Sequence, residues 1–287
     1  MQGEQDIRIR FWGVRGSFPV PGPSTAKFGG NSSCVEVEAG GKRVVFDAGT
    51  GLIALGQHLV DHEPPGDLAI LLSHLHHDHI EGLRFFKPFY RKGWRCRLYG
   101  PDTGEPGLAE HLAQTMRGRF FPVDMEELPA RIDVRQLRPG RRLNLGGQPK
   151  VQVEVEHTSA HPRFGVHLFR LTCHGRSVVY ATDIEAPQGG FDSVVRFAAG
   201  ADVLIHDAQY THHEYFRDED NRQGWGHSTV RMAAEAARAA GVGQLILFHH
   251  DPCRRDAQIP PLERLAKKIF PRARAAREGL VVGLGRR

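Results

Sequence analysis

Residues 73–82 have the sequence SHLHHDHIEG and directly follow the apolar run LAILL at 68–72. Four of these ten residues are histidines and one is an aspartate, an unusual concentration of titratable side chains after a buried strand. His74 and His76 are two residues apart, so an extended backbone projects both to one side. Asp78 and His79 follow where a helix is expected to begin, near Ile80, and they point to a second position nearby. The stretch therefore predicts a metal site.

The composition indicates an ordinary globular protein, with 40% hydrophobic and 25% charged residues in a chain of 287. The first residues, MQGEQDIRIR, contain no apolar segment typical of a signal peptide, and no apolar run approaches transmembrane length. We therefore expect a cytoplasmic protein. Its four cysteines form no C-x-x-C pair, which favours reduced thiols over a cysteine-based zinc site. The net charge of +5 is compatible with an anionic substrate, but such a basic bias more often reflects only a solvated surface.

Short apolar strands recur along the chain and indicate an α/β protein. The run 68–74 is apolar throughout, as expected of a central strand with parallel neighbours. The segment 227–241 predicts a helix capped by Ser228 and ended by Gly241. Both halves begin with meandering strands and continue with strand–helix units, so one domain over 1–287 is expected. Further strands are predicted at 7–13, 34–39, 43–49, 97–101, 151–157, 166–172, 177–183, 202–208 and 244–250.

Residues 104–130 are expected to form a helical insertion in this domain. The helix lies around LAEHLAQTM, and the Phe120-Phe121-Pro122 sequence interrupts the segment after that helix. The apolar surface of the insertion exceeds what a free loop needs. Three interpretations remain open: a cover over the active-site mouth, a homodimer contact, or a peripheral segment packed on its own domain.

Metal-capable residues lie at the ends of five predicted strands, namely Asp47, His74, His157, Asp183 and His249. Parallel strands place their carboxyl ends at one edge of a sheet, where α/β proteins build their sites. Nitrogen and oxygen ligands without thiolate suit Zn²⁺, with Mn²⁺ or iron as alternatives. The supply of ligands exceeds one tetrahedral shell, which indicates two metal ions. A two-metal site activates water and stabilises the oxygens of a displacement reaction.

These motifs resemble the metallo-β-lactamase superfamily over nearly the whole chain. The H-x-H-x-D-H signature occupies 74–79, and FDAGTG at 46–51 matches the first motif of the family. The resemblance implies a four-layer αββα sandwich. It also implies a set of metal ligands: His74, His76 and His157 for one metal, Asp78, His79 and His249 for the other, and Asp183 as the bridge. Asp47 is implied to orient a ligand or water, His77 to be no ligand, and His249 to be preferred over His250.

Two further segments resemble the tRNase Z and phosphodiesterase branch of this superfamily. IHDAQY at 205–210 and GHST at 226–229 are similar to the two loops that deliver a proton in that branch. The resemblance implies that His227 protonates the leaving oxygen and that Asp207 supports it. In-line attack on a phosphodiester expels an alkoxide, which a neighbouring imidazolium stabilises by proton transfer.

The spacing favours a small phosphodiesterase over the tRNA enzyme itself. Only 26 residues separate His157 from Asp183, too few for the long basic arm that tRNase Z enzymes insert there. We therefore expect hydrolysis of a cyclic nucleotide or related phosphodiester, with the loop at 14–33 as a substrate wall or as a plain surface loop. The alternatives are a ribonuclease acting on RNA 3′ ends and a non-catalytic metal-bound scaffold. The expected partners are a small phosphodiester or a short nucleic acid, with no membrane.

Overall fold

Within residues 5–219 and 221–285, which this computed structural model describes, two seven-stranded sheets pack face to face. Helices cover the outer face of each sheet, and separate apolar clusters fill the three interfaces. The expected four-layer αββα sandwich is confirmed.

The first sheet contains the strands of the amino-terminal half and one strand from the carboxyl end of the chain. Its order is β14-β1-β2-β3-β4-β5-β6. The strands are β1 (Gln5–Gly13), β2 (Cys34–Ala39), β3 (Lys42–Phe46), β4 (Asp67–Leu71), β5 (Arg95–Pro101), β6 (Arg131–Leu137) and β14 (Val281–Gly285). The helices of this half are α1 (Gly51–His62), α2 (His77–Ile80) and α3 (Leu108–Gln114).

The second sheet has the order β13-β12-β11-β10-β9-β8-β7. Its strands are β7 (Arg142–Gly146), β8 (Val151–Thr158), β9 (Val166–Cys173), β10 (Arg176–Ala181), β11 (Val203–Asp207), β12 (Gln244–Phe248) and β13 (Ala273–Ala275). The helices of this half are α4 (Gly190–Phe197), α5 (His212–Phe216), α6 (Val230–Ala239) and α7 (Ile259–Ile269).

The space between the sheets is filled by alternate residues of the strands on either side. Phe46 of the first sheet stacks on Phe169 of the second, with ring centroids 5.6 Å apart, and also on Tyr180 at 5.2 Å. All three side chains are fully buried. Burying an aromatic side chain of this kind contributes about 1.5–3 kcal/mol. The contact fixes the two sheets relative to each other close to the ends of β3 and β10.

Parallel pairing brings the strand ends of both sheets to one edge. As expected, β4 is central and parallel to both β3 and β5. In the second sheet, β11 is parallel to both β10 and β12. The carboxyl ends of these strands therefore meet at the same edge of the sandwich, where the predicted site residues follow them.

Two helix boundaries differ from the sequence predictions. A single turn begins at His77 instead of near Ile80, and a 3₁₀ turn over 81–85 continues it. Thr229, not Ser228, caps α6, because its side chain accepts a hydrogen bond from the Met232 amide. The Ser228 hydroxyl instead donates to the Ile184 carbonyl, a partner distant in sequence. Gly241 follows the helix with a φ of 63°, as expected for its terminating residue.

The segment 104–130 connects β5 to β6, which are parallel neighbours. Leu108, Leu112 and Met116 are buried in the apolar cluster between the first sheet and its helices. The expected helix is present, and its apolar face packs on its own domain. Phe121 contacts Phe85, whereas Phe120 remains 79% exposed. A dimer contact through this segment stays a prediction.

Candidate metal centre

Side chains able to hold metal ions converge at the carboxyl edge of the strands. Within the described residues they form three overlapping groups. The groups are His74, His76, His161 and Asp183; Asp78, His79 and His249; and Asp183, Asp207, His227 and His249. Of the residues predicted from sequence, all the candidate ligands except His157 belong to these groups.

Asp183 lies between the first two groups and directs one carboxylate oxygen to each. Its Oδ2 is 3.6 Å from His74 Nε2 and 3.9 Å from His161 Nε2. Its Oδ1 is 3.3 Å from His79 Nε2 and 3.2 Å from His249 Nε2. Asp78 Oδ2 completes the second group, at 3.1 Å from His79 Nε2. This arrangement suits the bridging position that was expected for Asp183.

Neighbouring side chains orient three of the histidines through their Nδ1 atoms. Asp47 Oδ2 is 2.7 Å from His79 Nδ1, and Gln209 Oε1 is 2.9 Å from His249 Nδ1. Ser73 Oγ is 3.0 Å from His74 Nδ1. When Nδ1–H donates, the Nε2 lone pair is the free one, and such partners fix the tautomer of metal-binding histidines. Asp47 therefore lies where it can orient His79, and its role at the site stays a prediction.

Three of the site residues hold left-handed backbone conformations within two residues of the ends of their strands. Asp47 has a φ of 59°, Asp183 of 54° and His249 of 59°. Positive φ is uncommon for residues other than glycine and costs free energy. A sharp turn at the end of each strand aims these side chains into a common space, and the surrounding packing maintains it.

His157 lies outside the three metal-capable groups. His161 occupies the place that was expected for His157, beside His74, His76 and Asp183. Strand β8 continues through Thr158, so His157 remains in the ladder opposite His167, with an exposed side chain. The loop after the strand then carries His161 to the site, with its Nε2 3.1 Å from His76 Nδ1. His161 Nδ1 lies 3.1 Å from the carbonyl oxygen of Gly226. The prediction for His157 is corrected because the strand ends one residue later than its sequence suggested.

Two other histidines of the sequence motifs have different environments. His77 is exposed and belongs to none of the three groups, as expected. His250 turns away from the site, and its Nε2 lies 2.9 Å from the carbonyl oxygen of Ala276. Burial lowers the pKa of His250 to about 3, so it is neutral at pH 7. The choice of His249 over His250 agrees with this geometry.

Two glycines allow close approach to the imidazoles. A Cβ on Gly16 would lie 2.4 Å from the ring of His249, and one on Gly226 would lie 2.2 Å from His161 Nδ1. Gly226 also has a φ of 87°. Next to Gly16, the Ser17 amide donates to Asp78 Oδ2 at 2.7 Å. The loop at 14–33 therefore contributes directly to one wall of the site.

His227 and Asp207 form a buried pair beside the two metal groups. His227 Nδ1 is 2.7 Å from Asp207 Oδ2, and the other oxygen of Asp207 accepts from the Ser228 amide. Burial lowers the pKa of His227, but the charge and hydrogen bond of Asp207, with smaller effects of Asp183 and Asp78, outweigh it. The net result raises the pKa of His227 to about 9. Because Nδ1 is engaged, Nε2 is the atom left to donate a proton.

The donor set fits two divalent cations. Asp78 and Asp183 are buried, and within the described part of the chain their ion-pair partners are all histidines. The Nε2 atoms of His74 and His79 are buried without a hydrogen-bond partner there. Buried carboxylates require compensating positive charge, and buried nitrogens require a partner. Metal ions between these atoms satisfy both requirements, and oxygen with imidazole nitrogen suits zinc.

Sequence reasoning missed His161, Gln209 and Ser73. His161 had a signal, because it follows His157 by four residues in a loop at a strand end. Ser73 directly precedes the motif. Gln209 carried no such signal, since it contacts His249 across 40 positions of the chain.

Comparisons with known proteins agree with this fold. Residues 42–250 match the model of the Beta-lactamase superfamily domain. A ribonuclease Z of Mycobacterium avium is 30% identical, over 88% of this chain and 89% of that protein. The fold resembles that of YhfI, a metallo-β-lactamase fold protein from Bacillus subtilis, with a TM-score of 0.68 at 22% identity, covering 96% and 99% of the two chains. It also resembles a diphosphatase of the PhnP family, with a TM-score of 0.66 at 17% identity, covering 97% and 98%.

The family model covers most of the chain, including the 74–79 signature. The ribonuclease Z of Mycobacterium avium aligns with 88% of the chain. Among the residues that the structure describes, no helix combines the length and the apolar composition that a membrane span requires. With its two packed sheets and its converging histidines and aspartates, the chain belongs to the beta-lactamase superfamily of metal-dependent hydrolases.

Proposed function

We propose that this protein is a phosphodiesterase in which His227 donates a proton to the leaving oxygen. The supporting observation is the 2.7 Å contact between His227 and Asp207 beside the metal groups. A thioester expels a thiolate, which leaves readily without a proton, whereas a phosphodiester expels an alkoxide, a poor leaving group that gains strongly from a positioned acid. Asp207 keeps His227 protonated and holds its ring in place.

The residues proposed to hold the metals are His74, His76 and His161 for one ion and Asp78, His79 and His249 for the other, with Asp183 between them. Zinc is the first expectation, with Mn²⁺ or iron as alternatives. Two such cations would neutralise the phosphoryl oxygens and lower the pKa of a water molecule for attack. The chain itself supplies the proton at His227 and orients the ligands through Asp47, Ser73 and Gln209.

A small nucleotide-like phosphodiester, cyclic or linear, is the proposed substrate. The cleft between the metal groups and His227 has a volume of about 330 Å³. Strands β8, β9 and β10 follow each other through short connections, which leaves no arm between them for gripping a folded RNA. We also propose a cytoplasmic location.

A ribonuclease Z-like activity on RNA 3′ ends is the second candidate. It is supported by relatives named ribonuclease Z, among them the one that is 30% identical over 88% of the chain. The net charge of +5 would assist RNA binding in the absence of an arm.

The test is a panel of phosphodiesters with His227→Ala as the diagnostic variant. Metal-loaded protein should hydrolyse bis-p-nitrophenyl phosphate and at least one of a cyclic nucleotide set or a short RNA. His227→Ala should retain its metals but lose about 10²–10⁴-fold in rate when the leaving group is a ribose alkoxide. The loss should be much smaller with p-nitrophenolate, which leaves without a proton.

Equal losses on both kinds of leaving group would contradict proton donation by His227. No hydrolysis of any phosphodiester by protein with its metals bound would refute the proposed function. Cleavage of the RNA alone would favour the second candidate.

A further inference from the structure

A cavity of about 500 Å³ opens beside the first metal group. On the metal side it is lined by His74 and His76. Three further histidines line it, His111, His157 and His167, and among the described residues these belong to none of the metal groups. The proposed reaction has no use for these three imidazoles, so the cavity requires its own explanation.

His157 and His167 mark the point where the core between the sheets ends. They lie opposite each other on β8 and β9, with ring centroids 5.4 Å apart and ring planes perpendicular. They share a strand face with Val155 and Phe169, which pack in the core between the sheets. Apolar packing therefore stops at two imidazoles, and the cavity begins there.

His167 has unused hydrogen-bonding capacity. Its side chain is almost fully buried at the cavity wall, and its Nδ1, which is closed off from solvent, has no hydrogen-bond partner in the described part of the chain. Leaving such a group unpaired is unfavourable. Burial, helped by the neighbouring His157, lowers the pKa of His167 to about 4, and burial also lowers the pKa of His157. Each neutral imidazole offers one donor and one acceptor, without positive charge.

The rest of the wall favours a planar, uncharged group. Leu75, Pro101 and Val166 provide apolar surface, and the ring of Phe164 stands 87% exposed at the cavity. Within the described residues Arg163 is the only lysine or arginine of the wall, and it is exposed. A phosphate group would need more positive charge than this. The cavity thus offers the neutral hydrogen-bonding edges of imidazoles between apolar surfaces, and this combination suits a heterocyclic base.

The position of the cavity determines which part of a substrate reaches it. The cavity shares His76 with the metal cleft, whereas a separate pocket shares Ser17 and His227 with that cleft. If His227 protonates the leaving oxygen, the leaving group faces the separate pocket. The substituent that stays on phosphorus then faces the cavity.

We infer that this cavity binds the base of the nucleoside that remains on the phosphorus atom, so that one product is a nucleoside monophosphate. His167 and His157 supply hydrogen bonds to the base, and Phe164 covers one of its faces. The orientation of the substrate rests on the proposed function, whereas binding of a base in the cavity is testable without catalysis.

The first experiment measures binding to the metal-loaded protein by calorimetry. Thymidine 5′-monophosphate should bind at least about 10-fold more tightly than methyl phosphate, which has the same charged group and no base. His167→Phe keeps a flat aromatic side chain but removes both ring nitrogens, so it should abolish this preference and leave methyl phosphate binding unchanged. His157→Leu, at an exposed position, is the second variant if His167→Phe does not fold.

His174→Asn is the matched control, because it removes an exposed imidazole just beyond the opposite end of β9. Asparagine tolerates the left-handed backbone at this position, where φ is 49°. The preference for the nucleotide should survive this substitution. Equal affinity for the two monophosphates, or a preference that both cavity variants retain, would overturn the inference.

The second experiment compares two esters with one leaving group, thymidine 5′-p-nitrophenyl phosphate and methyl p-nitrophenyl phosphate. The nucleoside ester should have a kcat/KM at least about 10-fold higher, and His167→Phe should remove this advantage. If neither ester is hydrolysed, the proposed function fails, and the calorimetry alone then decides for or against the cavity.

Discussion

Replacing His161 tests the placement of the metal centre more directly than any other single change. His161 Nε2 lies 3.1 Å from His76 Nδ1 and 3.9 Å from the bridging Asp183 carboxylate. The residue expected from the sequence, His157, is exposed and outside the metal groups. We therefore predict that His161→Ala impairs metal binding and that His157→Ala does not.

The loss of metal affinity in His161→Ala depends on whether the imidazole nitrogen that is removed is itself a metal ligand. Even removing a residue that only supports a ligand lowers metal affinity by about 10–100-fold, so losing a ligand should cost at least about 100-fold. That factor corresponds to about 2.8 kcal/mol of binding free energy. When the free metal concentration is well above the dissociation constants of both the parent protein and the variant, the stabilisation that metal provides falls by the same amount. At about 2–4 °C per kcal/mol, the rise in Tm on adding zinc should shrink by about 5–11 °C.

The assay is a set of thermal melts with and without zinc, together with metal analysis of protein purified without chelator. The parent protein and His157→Ala should each contain about two metal ions per chain. Comparing the rise in Tm, not Tm itself, separates metal binding from any change in the stability of the metal-free protein. If His157→Ala loses the rise in Tm while His161→Ala retains it, the structural assignment is wrong.

Two more predictions concern pH dependence and stability. The pKa of His227 is raised, so its acid form is present at low pH and is lost as the pH rises through that pKa. Asp207→Asn should therefore move the alkaline limb of kcat/KM to lower pH, and an unmoved limb would contradict the role of Asp207. Arg15 is fully buried and donates to the carbonyls of Gly29, Asp251 and Arg254. Arg15→Met leaves these three carbonyls without their donor, at about 1–3 kcal/mol for each unsatisfied buried group, so it should destabilise metal-free protein by at least about 3 kcal/mol in urea unfolding. Arg8→Met, which breaks the exposed pair with Glu38, should cost under about 1 kcal/mol, and similar losses for the two would refute this account.

Local sequence patterns were sufficient for the α/β class, one central parallel strand and the general place of the site, whereas the four layers were implied by the resemblance to the metallo-β-lactamase superfamily. The run ending at His74, for example, lies between two parallel strands as expected. The prediction works because an apolar strand buried on both faces has a distinctive composition, and parallel strands must end at one edge. Strands such as β6, with a largely exposed sequence, were not predicted because they lack that composition.

Contacts between distant segments decided the remaining details of the site. His161 replaces His157 because pairing with β9 extends β8 to Thr158, and local sequence does not encode the length of that ladder. Gln209 reaches His249 because β11 and β12 are neighbours. The cavity beside the metals exists because apolar packing between two sheets stops at His157 and His167. The sequence by itself thus determined which chemical groups are available, whereas tertiary packing decided which of them meet, since hydrogen bonds and metal ligation act only over a few ångströms.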